Sequence, residues 1–303
     1  FSKAHSASYA VESFQSLYLK AHFPLEFMVA VINNFGGFYR SWVYFNEAKR
    51  YGGNILLPCV NEGDYLTSIK GHDIYVGFVH IQNLEKNVVE RIIEERKRNG
   101  KYTSLENFLS RVPTGREQMV ILIRINALRF TGKTKKELLW EAHMYTGKTR
   151  KETKALELFG IKKREFRLPV LVESEIEDAY DEIELLGFPV TLSYFDLLQT
   201  KFRGEIMARD LVNNIGAEVK MVGNLAALKN VYTVNWNYMH FGAFLDSEGE
   251  FFDTVNFPNS LKKYPFRGYG VYLILGKVVE EFGFPSLEVK KMAKLPLQPD
   301  PRY

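Results

Sequence analysis

Apolar residues recur every third or fourth position through the first half of the chain and every second position through its last third. The pattern predicts a helical part followed by a β part. Val11, Phe14, Leu17 and Tyr18 share one helical face; after a break at Phe23-Pro24, Phe27, Met28, Val31 and Ile32 share another, which Gly36-Gly37 ends. A third helix is expected over 42–51, stopped by Gly52-Gly53. Residues 55–60 read as a short strand or extended entry, and 61–73 as turns. Thr103-x-x-Glu106, Thr114-x-x-Glu117, Thr134-x-x-Glu137 and Thr149-x-x-Glu152 each fit a capping box, in which Thr and Glu satisfy free N–H groups at a helix start. The region after Ile74 is therefore expected to be all helical, divided by Pro113 and Gly115.

From Glu218 the period is two. Residues 219–228, 239–245, 251–255, 271–279 and 287–292 read as five strands, with hairpin turns at Ser247-Glu248-Gly249 and Phe282-Gly283. A short helix over 258–264 falls between the third and fourth strands, which is the order of an OB barrel; a small sandwich is the other arrangement open to five such strands. The expected fold is thus multi-domain, α then β. Its segments are 1–73 (helical), 74–150 (basic, helical), 151–217 (connector), 218–295 (five-stranded OB-type β-barrel) and 296–303 (tail).

Charge sharpens this division. Residues 86–150 hold fifteen Lys or Arg and seven Glu, a net +8, whereas the whole 303-residue chain is only +4 and the remainder therefore −4. Basic charge concentrated on short helices is the electrostatic footprint of a nucleic-acid binder. Residues 173–184 carry seven acidic and no basic residues, and form either a solvated face or a charge contact with the basic region. The single cysteine, Cys59, excludes an internal disulfide and a Cys-rich zinc site, and fits a reducing cytoplasm. No apolar run approaches the roughly 18–20 residues that span a bilayer, and no secretory signal opens the chain, so no membrane partner is expected. Glu62 and Asp64 fall in a loop and Asp178 and Asp181 on a surface helix. No acidic pair lies in the strand context that two catalytic metals require, so no catalytic or metal-binding residue is assigned. The chain starts at Phe1, in mid-motif and without Met, and reads as a piece of a longer protein.

Phe1-Ser-Lys-Ala-His-Ser-Ala-Ser-Tyr-Ala10, followed by Tyr18-Leu-Lys-Ala-His-Phe-Pro-Leu-Glu-Phe-Met28, closely resembles the fingers segment of the bacterial DNA polymerase III alpha subunits, the C-family DNA polymerases. The likeness continues through Leu57-Pro58, Asn61-Glu62 and Asp64-Tyr65, from Gly77 to Ile81, and on into the barrel. The resemblance implies a layout: the end of the fingers over 1–73, tandem helix–hairpin–helix elements over 74–150, a sliding-clamp tether within 151–217, and an OB domain over 218–295. It also implies that the palm carboxylates and their Mg2+ lie upstream, so that this stretch uses no cofactor and alone extends no primer. The parent is then a replicase or a translesion paralogue. A stand-alone, non-catalytic DNA-binding or repair adaptor is the alternative.

Lys3, His5 and Tyr9 are the residues the resemblance places near nucleotide or template, suited to phosphate oxygens and to base stacking. The hairpins depart from the family's pattern. Helix–hairpin–helix turns use glycines to bring backbone N–H groups to a phosphate. Here Gln82-Asn83-Leu84-Glu85 carries Asn and Glu at those places, and Ile125-Asn126-Ala127-Leu128 carries Asn. Asn tolerates the left-handed turn, whereas Glu85 repels phosphate. The expected backbone contacts are Asn83, Asn126 and the cations Lys86, Arg96, Lys97, Arg98, Lys101, Arg129, Lys133, Lys135 and Lys136; a purely structural helical spacer is the other reading. Ala155-Leu156-Glu157-Leu158-Phe159 resembles the clamp-binding pentapeptide Gln-Leu-x-Leu-Phe, with Ala155 removing one polar contact. In the barrel, Tyr232, Trp236, Tyr238, His240, Phe244 and Phe252 suit either a core or a surface that stacks unpaired bases, with Trp236, Tyr238 and Phe252 the stacking candidates. Residues 218–295 are nearly neutral, with nine Lys or Arg and eight Asp or Glu.

Overall fold

The computed structural model describes residues 3–146, 173–232 and 236–303, which divide into two compact units. The first comprises residues up to Asn34, residues 52–191 and Arg302. The second comprises residues 35–51 and 192–301 with Tyr303. The expected clamp motif, Ala155 to Phe159, and the Thr149 capping box lie outside the described residues.

In the first unit α1 (Lys3–His22) runs into α2 (Pro24–Asn33), whose Pro24 stands in the first turn, where a missing N–H costs nothing. The faces of these two helices differ. Leu25, Met28, Val29 and Ile32 of α2 are buried, while α1 buries no residue and leaves Phe14, Leu17 and Tyr18 exposed. Three short strands follow, β1 (Asn54–Leu56), β2 (Ser68–Lys70) and β3 (Asp73–Tyr75), in the order β1-β3-β2 with β1 parallel to β3. The sequence reading anticipated the first of these but treated the second as turns. Thr67, just before β2, is tied to α2 by paired bonds with Asn33, 2.8 Å each way. Such a strand is specified by its partner rather than by its own pattern.

The basic region is helical, as its periodicity predicts: α4 (Lys86–Asn99), α5 (Leu105–Arg111), α6 (Arg116–Arg124) and α7 (Lys135–Thr146), followed by α8 (Glu175–Leu186). Only one predicted capping box within the described residues forms as drawn: Glu137 N donates to Thr134 Oγ1, and Thr134 N to Glu137. At α5 the cap moves on by one residue, with Ser104 Oγ accepting from Asn107 N at 3.0 Å. At α6 the cap position is Gly115, and the Thr114 hydroxyl turns back to Val112 O. Several Ser and Thr near a helix start compete for the same free N–H groups, so spacing alone leaves the register open.

The second unit is a closed barrel of β4 (Glu218–Tyr232), β5 (Tyr238–Leu245), β6 (Phe251–Asn256), β7 (Val271–Glu281) and β8 (Phe284–Lys294), in the cyclic order β4-β5-β6-β8-β7. β6 and β8 are parallel, with Thr254 opposite Leu287; the other pairings are antiparallel. The helix α9 (Pro258–Lys263) follows β6. This is the OB-type arrangement, and ladder closure removes the sandwich alternative. Inward positions fill the barrel with Met221, Phe244, Tyr272, Ile274 and Leu287. Gly223 is required where it stands, because a Cβ there would lie 2.5 Å from the Phe252 ring. The helix α3 (Ser41–Arg50) belongs to this unit. Its Val43, with Tyr39 and Trp42, packs on Ala226, Leu245 and Phe251 of the barrel wall.

Candidate nucleic-acid interface

Two turns in the first unit adopt the same unusual backbone. Asn83 has φ +61° and Asn126 φ +60°, a left-handed conformation in which Asn stands in for glycine. Asn83 lies between a single 3-10 turn (Phe78–His80) and α4; Asn126 lies between α6 and a second such turn (Arg129–Thr131). The hairpins therefore persist without their glycines.

What holds them is internal. In the first hairpin Glu85 N donates to Gln118 Oε1 at 2.8 Å, and Gln118 Nε2 donates to Asn83 O at 2.9 Å. Gln118, buried on α6, thus spans the turn from its far side. Gln82 N donates to Leu185 O at the end of α8, 2.8 Å away. In the second hairpin Asn126 N and Ala127 N reach back to Ile123 O and Leu122 O, and Ala127 O accepts from Val60 N. The amides of Gln82, Glu85, Asn126 and Ala127 are in this way satisfied within the protein.

The cations divide by what they touch. Arg96 donates to Val60 O, Gly63 O and Asp64, at 3.0, 2.7 and 2.9 Å, and Arg129 to Pro58 O and Leu57 O at 2.7 and 2.9 Å. Both guanidiniums staple the loop over 57–64. The expectation that these two contact DNA is corrected: their donors are engaged by carbonyls of the same unit. Lys101 and Lys70 both reach Glu62, and the hydrogen bond from Lys101 leads in holding that carboxyl down at about 2. Lys133 pairs with Glu141, and Lys86 with Glu90 at 3.6 Å. Lys97 and Arg98, near the end of α4, are exposed and pair with no carboxylate among the described residues.

The acidic helix α8 takes up the remaining cations. Lys135 meets Asp178 at 2.7 Å, Lys136 meets Glu177 at 3.0 Å, and Arg124 holds Asp181 at 2.7 Å together with Glu184. Arg302 adds a contact of 2.6 Å to Asp181. Of the two readings of the acidic run, the charge contact is the one that forms. Asp181 is buried rather than on an open surface; burial pushes its carboxyl up from its ordinary value, against the pull of Arg124. The hydrogen bond to Arg124 draws the Glu184 carboxyl down. The sequence offered no sign of Gln118 or Arg302, because neither role follows from local spacing.

Lys3, His5 and Tyr9 lie along the exposed α1, the last two one turn apart with rings 4.7 Å between centroids. In the barrel, Trp236 is 82% exposed with φ +57°, beside Tyr232 at 5.9 Å; Tyr232 and Tyr238 share a 2.5 Å hydroxyl contact. These rings project from the end of the β4–β5 hairpin. Phe252 does not join them. It is 3% exposed and stacked on Phe244 in the core, so its candidacy as a stacking residue is corrected: its strand parity points it inward. Among the described residues no group of three or more His, Cys, Asp or Glu is placed to hold a metal ion, and no helix is long and apolar enough to cross a membrane.

Paired left-handed hairpins between short helices, ahead of an OB-type barrel, define a helix–hairpin–helix protein with an attached barrel. A helix–hairpin–helix family model accordingly matches residues 52–138. Relatives extend the likeness to most of the chain. DNA polymerase III subunit alpha of Treponema pallidum (strain Nichols) is 30% identical over 276 residues, 85% of this chain and 23% of that protein. The Aquifex aeolicus (strain VF5) subunit is 27% identical over 293 residues, 93% of this chain and 23% of that protein. The Borreliella burgdorferi subunit is 38% identical over 113 residues, 37% of this chain and 10% of that protein. The resemblance read from the sequence therefore holds: the chain is similar along most of its length to a stretch of the DNA polymerase III alpha subunits. It spans about a quarter of the length of the two relatives that it matches most extensively.

Proposed function

We propose that this chain is the DNA-contacting and clamp-tethering part of a DNA polymerase III alpha subunit. Its helical unit meets the duplex backbone, and its barrel holds unpaired template. The parent performs template-directed nucleotidyl transfer at Mg2+-binding palm carboxylates that lie elsewhere, and works in the cytoplasm. The observation that carries the reading is the pair of left-handed hairpins at Asn83 and Asn126, inside the stretch matched by the helix–hairpin–helix model.

Lys97 and Arg98 supply positive charge in the last turn of α4, and the exposed ammonium groups of Lys86, Lys101 and Lys133, each paired with one carboxylate, can exchange that partner for a phosphate. Trp236 and Tyr238 offer stacking surface at the barrel's edge, and Lys3, His5 and Tyr9 face nucleotide or template from α1. Leu156, Leu158 and Phe159, within the connector, anchor the sliding clamp; this part of the reading rests on the sequence motif alone.

The test is duplex binding by the chain, followed by fluorescence anisotropy between about 50 and 200 mM salt. Replacing Lys97 and Arg98 by Ala is expected to weaken binding and to flatten the log–log salt slope by about two, at roughly 0.9 per lost phosphate contact. Duplex affinity that barely responds to salt overturns the phosphate-contact reading.

A further inference from the structure

The two hairpins share a backbone conformation but not an exposure. Gln82, Asn83 and Glu85 of the first lie in solvent, and α4 runs on from them to Lys97 and Arg98. In the second, Ile125, Ala127 and Leu128 are all 0% exposed, and only Asn126 keeps part of its surface. A backbone N–H meets a phosphate only where the chain can be approached closely. The second hairpin has turned that backbone toward the protein.

What it meets there is the loop over 57–64. Val60 N donates to Ala127 O at 3.0 Å, and Arg129, in the turn after the hairpin, donates to Pro58 O and Leu57 O at 2.7 and 2.9 Å. The other side of the loop is held by the end of α4 and the residues just after it. Arg96 donates to Val60 O, Gly63 O and Asp64. Asn61 exchanges two bonds with the backbone of Tyr102, at 2.9 and 2.7 Å, and Lys101 reaches Glu62. Residues 57–61 are buried, and a Cβ at Gly63 would crowd Cys59 O at 3.0 Å. A loop packed this closely passes a displacement on instead of absorbing it. Val60 is the link: its N–H goes to the second hairpin and its carbonyl to Arg96, one residue before Lys97.

On the duplex-binding reading given above, we infer that the second hairpin is a positioning element. It touches no phosphate; through the loop over 57–64 it fixes the last turn of α4, so that Lys97 and Arg98 stand where the duplex backbone passes. The helical unit then meets duplex through the first hairpin and α4, and Ala127 and Arg129 act through Lys97 and Arg98.

Two sets of variants of the full chain test this, with binding to a labelled duplex followed by anisotropy between about 50 and 200 mM salt. Asn83→Asp and Asn126→Asp each place one negative charge on a hairpin, and Asp tolerates the left-handed turn as Asn does. A charge about 4 Å from a phosphate weakens binding about fivefold. That loss is expected at low salt for Asn83→Asp, whereas Asn126→Asp binds like the parent chain. Arg129→Ala is expected to lower affinity and to flatten the salt slope by about one to two, at roughly 0.9 per misplaced cation. Arg129→Lys, which retains a donor to the loop, falls between the two and provides the test if circular dichroism shows the Ala variant unfolded. In a chain already carrying Lys97→Ala and Arg98→Ala, either change at Arg129 weakens binding no further, the non-additivity of groups that act through one another. Asn126→Asp losing as much affinity as Asn83→Asp overturns the inference while leaving duplex binding intact. So does a folded Arg129 variant with the parent's affinity and slope, or one whose loss adds in full to that of Lys97→Ala and Arg98→Ala. A chain that binds no duplex at any salt overturns both readings.

Discussion

Gln118 offers the sharpest test of how hairpins without glycines keep their shape. Its amide makes two bonds to the first hairpin, to Glu85 N and Asn83 O, at 2.8 and 2.9 Å. Gln118→Leu retains most of the volume and removes both bonds. A buried group stripped of its partner costs about 1–3 kcal/mol. Asn83 and Glu85 lie on the exposed side of the turn, where water replaces part of what is lost. The lower end therefore applies, about 2 kcal/mol for the pair, which in a unit of this size lowers the Tm by roughly 4–8 °C. Gln118→Glu retains the acceptor for Glu85 N and loses the donor to Asn83 O, so its cost falls between parent and Leu variant. The local readout is amide hydrogen exchange at Glu85, which speeds up in the Leu variant while the α7 amides stay protected. A Leu variant within about 0.5 kcal/mol of the parent, with Glu85 exchange unchanged, refutes the bracing role.

Three further expectations follow from exposure and burial. Trp236→Ala weakens binding to single-stranded oligonucleotide by about 1–3 kcal/mol, seen in anisotropy titrations, and leaves the melting curve unchanged. Phe252→Ala does the reverse: it opens the barrel core and costs about 3–5 kcal/mol in thermal or denaturant unfolding, as a large core deletion does. His80 is pushed below its ordinary value by burial, with Nε2 3.1 Å from Thr67 Oγ1. A depressed histidine favours the folded state above its unfolded value of about 6.5, and that stability is lost as pH falls from there towards the folded value. Unfolding titrations between about pH 7.5 and 5 are expected to show this loss, and His80→Gln to flatten it.

Much of the architecture was legible along the chain because it depends on local repetition. The period-two alternation after Glu218 located every barrel strand to within a few residues, and the helix between the third and fourth named the barrel's order. Asn83 and Asn126 were expected to tolerate the left-handed turn at hairpin positions that the resemblance implied, and both adopt it. Strand parity separates the barrel's aromatic residues. Phe252 and Trp236 are both aromatic residues in the same barrel, but Phe252 alternates inward with Thr254 and Asn256, while Trp236 sits where alternation has ended. The fate of the cations is not local either. A side chain's charge is visible in the sequence, but whether Arg96 meets a phosphate or the carbonyls of Val60 and Gly63 depends on a loop more than thirty residues away.

The amino-acid sequence by itself determined the helices, the barrel strands and the concentration of positive charge, since each follows from the residues at neighbouring positions. Tertiary structure alone decided which charges are free. It brought α8 onto Arg124, Lys135 and Lys136 across some forty to sixty residues of chain, sent Gln118 into the first hairpin, and left Lys97 and Arg98 facing solvent. The physical reason is that a salt bridge or hydrogen bond is set by distances of a few ångströms between groups, and separation along the chain does not encode them.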